Sequence, residues 1–171
     1  MKKLMYLLIV PLSVLLLSGL GEATVTLSLT PSSQSTTIGG TVILDLEIAG
    51  LTDYGPGSLG AFALDISYNP DILSFTSVSF GLSLGDPDWF EADPYYDDSV
   101  AGDLYLDETS FLSDSELDSI QPANFTLLSL SFTGIAAGFS DLVMQDVVLS
   151  YASGSAIPEV EIKNASLQQY V

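Results

Sequence analysis

The chain has 171 residues, with 22 acidic side chains against 3 basic ones, and neither histidine nor cysteine. Lacking both, it cannot build an ordinary zinc site or a Ser–His–Asp or Cys–His nucleophile, and no disulfide can staple the fold. Such a charge repels nucleic acid and anionic membranes and attracts cations and basic partners; solubility in salty surroundings is the plain alternative.

Lys2 and Lys3 precede an apolar run from Leu4 to Leu20, interrupted by Pro11, with small Gly21 and Ala23 at the −3 and −1 positions of a cleavage site. This layout predicts a secretory signal peptide over 1–23, hence export; a retained N-terminal anchor is the alternative. The mature chain, 24–171, then has 171 − 23 = 148 residues, enough for a single core. Of the charged residues, Lys2, Lys3 and Glu22 leave with the signal, so the mature charge is 1 − 21 = −20. No membrane span is expected after cleavage.

The mature chain reads as strands. Val25, Leu27 and Leu29 alternate with polar residues, as do Val42, Leu44, Leu46 and Ile48, and then Phe62, Leu64, Ile66 and Tyr68. Period-2 patterning marks strands with one face on a core. Leu128, Leu130 and Phe132 repeat it, then Leu142 and Met144, then Val147 and Leu149. The phase slips by one around Gln145 and Asp146, which predicts a bulge or break. A weaker last strand is expected at Ser166 to Val171. Pro31 to Ser35 reads as a polar turn, Gly50 to Gly60 as a flexible connection, and Asn69-Pro70-Asp71 as a tight turn. Short strands with regular turns predict an all-β antiparallel sandwich.

One short helix is expected in "SDSELDSIQP", with Ser113 as N-cap, Glu116 completing a capping box and Pro122 as stop. A lid over one end of the sandwich is its expected role. Twelve of the mature chain's acids fall between Gly81 and Gln121, a stretch with little strand pattern beyond "DLYLD" at Asp103 to Asp107. It reads as an acidic excursion, at about 82–124, between two core strands.

"LGAFALDISYNPDILSFTSVSFG", Leu59 to Gly81, resembles the cohesin module: an apolar alternating strand, a Tyr-Asp-Pro-like turn, then Leu, Val and Gly. Phe62, Leu64, Tyr68, Pro70, Leu73, Val78 and Gly81 fill those places, with Asn69 where Asp is usual. "TIGGTVILDLEIAG", "FTLLSLSFTG" and "NASLQQYV" resemble three further strands of that family. The resemblance implies a jelly-roll or Ig-like sandwich of about nine strands, related to carbohydrate-binding modules and found in exported bacterial proteins. It also implies a binding partner, since classical cohesins hold a calcium-loaded dockerin on one sheet face.

Three chemistries are open to the acidic stretch. Asp86, Asp88, Asp93, Asp97 and Asp98 could offer oxygens to Ca²⁺, although the spacing fails the EF-hand pattern because Glu91 stands where Gly is needed. A solvated loop with diffuse cation attraction is the alternative. Trp89, Tyr95 and Tyr96 could stack on sugar rings, or could anchor the loop by packing. A pair of carboxylates could hydrolyse a glycosidic bond, but nothing singles one pair out. The sequons at Asn124 and Asn164 read as coincidence. The expected function is a secreted, non-catalytic binding or adhesion module for an extracellular protein, dockerin-like or other, or for a polysaccharide.

Overall fold

The structure, a computed structural model, describes residues 24–51 and 57–171. The expected signal peptide, 1–23, and the middle of the Gly50–Gly60 connection lie outside them. Among the described residues, eleven strands form two packed sheets. They are β1 (Val25–Thr30), β2 (Ser33–Thr37), β3 (Thr41–Ala49), β4 (Leu59–Ser67), β5 (Leu73–Phe80), β6 (Ala92–Asp97), β7 (Asp103–Ser110), β8 (Asn124–Gly134), β9 (Gly138–Tyr151), β10 (Val160–Lys163) and β11 (Ala165–Tyr170). The five-stranded sheet has the order β10-β1-β3-β8-β5, and the six-stranded sheet β2-β11-β9-β4-β7-β6.

The period-2 residues meet between the sheets. Val25, Leu27, Leu44, Leu46, Leu64, Ile66, Leu104, Leu106, Leu130 and Phe132 have no exposed surface. Each such side chain contributes about 1.5–3 kcal/mol relative to an exposed one. Tyr68 and Phe75 meet Phe132 edge-on, at ring-centroid distances of 5.2 and 5.8 Å. The predicted slip is a bulge. β4 pairs Ala63 with Val148 but Asp65 with Gln145, and Asp146 sits at φ 49°. The Asn69 turn closes as expected, with Asp71 N donating to Asn69 Oδ1 at 3.0 Å.

Three expectations change. The strands number eleven instead of about nine, and the sheets are mixed: β1 runs parallel to β10, and β2 parallel to β11. Part of the Pro31–Ser35 turn is strand, because β2 begins at Ser33. Its Ser, Gln and Thr side chains carry no apolar alternation, so backbone pairing with β11 defines it. The acidic excursion also contributes to the sandwich. β6 and β7 form a hairpin that zips onto β4 along seven residue pairs, from Ala61↔Thr109 to Ser67↔Asp103. Pro94 is tolerated because β6 is the sheet edge. Gly102 at the hairpin tip has φ +86°, and a Cβ there would come within 2.9 Å of Pro70. Tyr68 N donates to Gly102 O, which seats the tip on the Asn69 turn.

The predicted helix, α1 (Asp114–Ile120), is present. The Glu116 carboxylate accepts from Ser113 N at 2.8 Å and from Ser113 Oγ at 2.6 Å. Those bonds hold Glu116 below the usual carboxylate range. Leu117 is buried. Asp118 accepts from Ser58 Oγ, and Gln121 bridges Leu59 and Ser83 O, so the helix caps the start of β4 as a lid would.

Candidate functional site

Pairing register decides which side chains leave the six-stranded sheet. Ala61, Ala63, Asp65 and Ser67 of β4 face outward, beside Thr109, Asp107, Tyr105 and Asp103 of β7. Val148 and Gln145 of β9 flank them on one side, and Asp93, Tyr95 and Asp97 of β6 on the other. Small residues leave the middle low, while rings and carboxylates surround it. Tyr95 and Tyr105 lie 6.3 Å apart, and Tyr105 Oη donates to Asp107 Oδ2 at 3.3 Å. Partial burial, then the charges of Asp103 and Asp146, push the Asp65 carboxyl above its usual range. Partial burial, then Asp107, push Tyr105 up. The face therefore carries negative charge that its own residues do not neutralise.

The other outer face differs. On the five-stranded sheet, Asp45 accepts from Ser129, Glu47 from Thr30 at 3.0 Å, and Glu161 from Thr26 at 3.2 Å. Lys163, the one basic residue among those described, pairs with Glu161 at 3.3 Å. Its acids have partners within the sheet.

The residues expected to hold calcium are divided. Asp86 caps a 3₁₀ turn at Pro87–Trp89, accepting from Asp88 N at 2.9 Å, and both lie before β6. Asp93 starts β6. Asp97 ends it, held low by its bond from Ser99 N at 2.8 Å, with Asp98 in the turn beyond. At about 3.3 Å per residue, β6 sets Asp93 and Asp97 some 13 Å apart. Among the described residues, no three acidic side chains converge as a metal-ligand set. The five acids do not fit a shared calcium ion, because a strand runs between them.

The expected sugar platform is divided too. Tyr95 faces outward onto Tyr105, whereas Tyr96, the next residue of the strand, turns the other way and meets Phe75 at 5.8 Å. Trp89 stands in the 3₁₀ turn and is 77% exposed. The three rings do not share a plane of contact.

Sequence reasoning did not single out Asp65, Tyr105, Asp107 or Asp146. The polar half of the alternation marks them as outward-facing, but only the register between strands brings them together. Glu108 was missed as well. It faces inward on β7, opposite Phe62, fully buried and with neither carboxylate oxygen hydrogen-bonded. Burial pushes its pKa up to about 8.

No protein-family model matches the sequence, and no curated protein sequence matches it. Solved structures do. The CaCohA2 cohesin of Clostridium acetobutylicum superposes with a TM-score of 0.68 at 20% identity, covering 86% of this chain and 92% of that one. A type I cohesin from Clostridium thermocellum, solved as a cohesin–dockerin complex, gives 0.65 at 11% identity, covering 86% and 95%. A non-cellulosomal cohesin of the archaeon Archaeoglobus fulgidus gives 0.61 at 13%, covering 86% and 91%. The chain is, by fold, a cohesin-like domain.

Proposed function

We propose that the protein is a secreted, non-catalytic docking module that holds a protein partner of the dockerin kind on the outer face of its six-stranded sheet. The observation that carries this reading is the contrast between the two outer faces. One satisfies its acids internally; the other leaves Asp65, Asp103, Asp107 and Asp146 unneutralised around exposed rings. A partner that brings basic side chains and covers Tyr95 and Tyr105 gains on both counts. The cohesin fold, and a structural neighbour solved with a dockerin, support the partner class. Export rests on the signal-peptide pattern at 1–23.

Polysaccharide binding through Trp89, Tyr95 and Tyr96 has less behind it, since those rings point to separate surfaces. The test is a panel of immobilised, calcium-loaded dockerin modules probed with the mature domain. The reading expects one or more to bind, with loss of roughly 100-fold or more in an Asp65→Lys/Asp107→Lys variant. Failure of every module to bind, or binding indifferent to that variant, refutes it.

A further inference from the structure

The end of the sandwich beside α1 carries five large apolar side chains in solvent: Leu82 (63% exposed), Trp89 (77%), Phe90 (86%), Phe111 (64%) and Ile120 (44%). Short backbone links gather the segments that bear them. Phe111 N donates to Glu91 O at 2.7 Å, which ties its backbone to the residue that follows Phe90. Gln121, next to Ile120, donates to Ser83 O at 2.9 Å, next to Leu82. Glu91 N returns to Asp86 O across the 3₁₀ turn that holds Trp89.

Two features set this patch apart from apolar residues scattered on a surface. Phe90 sits at φ 59°, ψ 31°, the left-handed region that a bulky side chain ordinarily avoids. Glycine would hold that turn without strain, so the backbone is strained to present an aromatic ring to water. The surroundings are also of one sign. Asp86 and Asp88 lie on the same loop and Asp114, Glu116 and Asp118 on α1, whereas Lys163 is engaged on β10.

We infer that this end of the sandwich is a second docking surface, separate from the sheet face, for an amphipathic protein segment whose apolar side is flanked by Lys or Arg. The apolar side covers the five side chains, and the basic flanks meet the acidic rim. A second copy of this chain brings the same acids and is repelled. An anionic bilayer is repelled for the same reason.

Trp89 is the chain's single tryptophan, so its emission reports on the patch directly. The mature domain is titrated with a synthetic amphipathic Leu/Lys helical peptide, with Ser/Lys and Leu/Glu peptides of equal length as controls. The expected result is a saturable blue shift with Leu/Lys alone, at least tenfold weaker in Phe111→Ser. Phe90→Gly weakens binding similarly while melting no lower than the parent, which separates lost contact from lost folding. Tyr105→Ala, on the sheet face, leaves the titration unchanged. Equal affinity for Leu/Lys and Ser/Lys peptides, or for the parent and both patch variants, overturns the inference. So does a blue shift on phosphatidylcholine vesicles, or concentration-dependent dimerisation that buries Trp89 without peptide, since these assign the patch to lipid or to a second copy.

Discussion

The two sheets share a core but differ in how far their polar groups are settled. In the five-stranded sheet β1 and β3 turn a clean apolar row inward, β8 does so on either side of a bulge at Leu127, and the outer acids are hydrogen-bonded or ion-paired within the sheet. The six-stranded sheet departs on both faces. Inside, Glu108 and Gln169 are buried with side-chain polar atoms that lack hydrogen bonds. Outside, Asp65 lies in the field of Asp103 and Asp146. One sheet satisfies its outer acids internally; the other keeps unsatisfied groups that a partner or a proton can satisfy. Stability withheld in this way is common where a surface serves binding.

Truncation within the settled sheet has the largest effect. Phe132→Ala, which removes a fully buried ring clasped by Tyr68 and Phe75, costs about 3–5 kcal/mol in urea unfolding. A loss under 1 kcal/mol would show that this half of the core is loosely packed. The other sheet gives the opposite sign. Glu108 has a folded-state pKa of about 8 against an ordinary 4.5. Between those values the folded state holds more protons than the unfolded one, so stability falls as pH rises through that window and levels off above it. Glu108→Gln removes that dependence and stabilises the protein by roughly 3 kcal/mol at pH 7. Parallel stability–pH curves for the parent and Glu108→Gln would show that the carboxylate finds water or a partner on ionising. On the outer faces the signs also divide. Asp65→Asn relieves repulsion and raises stability, while Asp45→Asn weakens the bond from Ser129 and lowers it, each by roughly 0.5 kcal/mol at pH 7 and low salt. Changes of the same sign would erase the contrast between the faces.

The sequence shows the settled half of the molecule better than the other. Strands with clean alternation, such as Val42 to Ile48, are legible because burial on one face imposes period 2. The Asp146 bulge is legible because a bulge must shift that phase. β2 is not, since an edge strand of Ser, Gln and Thr owes its conformation to a partner 166 − 33 = 133 residues away. β6 is hidden by Pro94 and by acids that mimic a loop. The outer-face constellation of Asp65, Tyr105, Asp107 and Asp146 depends on register between three strands, which no local pattern encodes. Adjacency in sequence misdirects in the reverse sense. Tyr95 and Tyr96 are neighbours whose rings lie on opposite sides of β6.

Calcium has the smallest expected effect, and it sharpens the comparison from the acidic side. Negative charge spread along a strand attracts any cation diffusely, whereas a calcium site needs six to eight oxygens within about 2.6 Å of one point. Asp86 Oδ1 is taken up by Asp88 N in their turn, and Asp97 and Asp98 lie at and just beyond the far end of β6. Screening alone should therefore act, and it should act mainly on the six-stranded sheet, where Asp103 and Asp146 repel Asp65. The domain, residues 24–171, should melt at the same temperature in calcium chloride and in sodium chloride of equal ionic strength. Asp65→Asn should reduce the rise that either salt produces, and Asp45→Asn should not. A shift of several degrees specific to calcium would mean that the acids converge on the ion when it is present, joining the two ends of β6 that the fold holds apart.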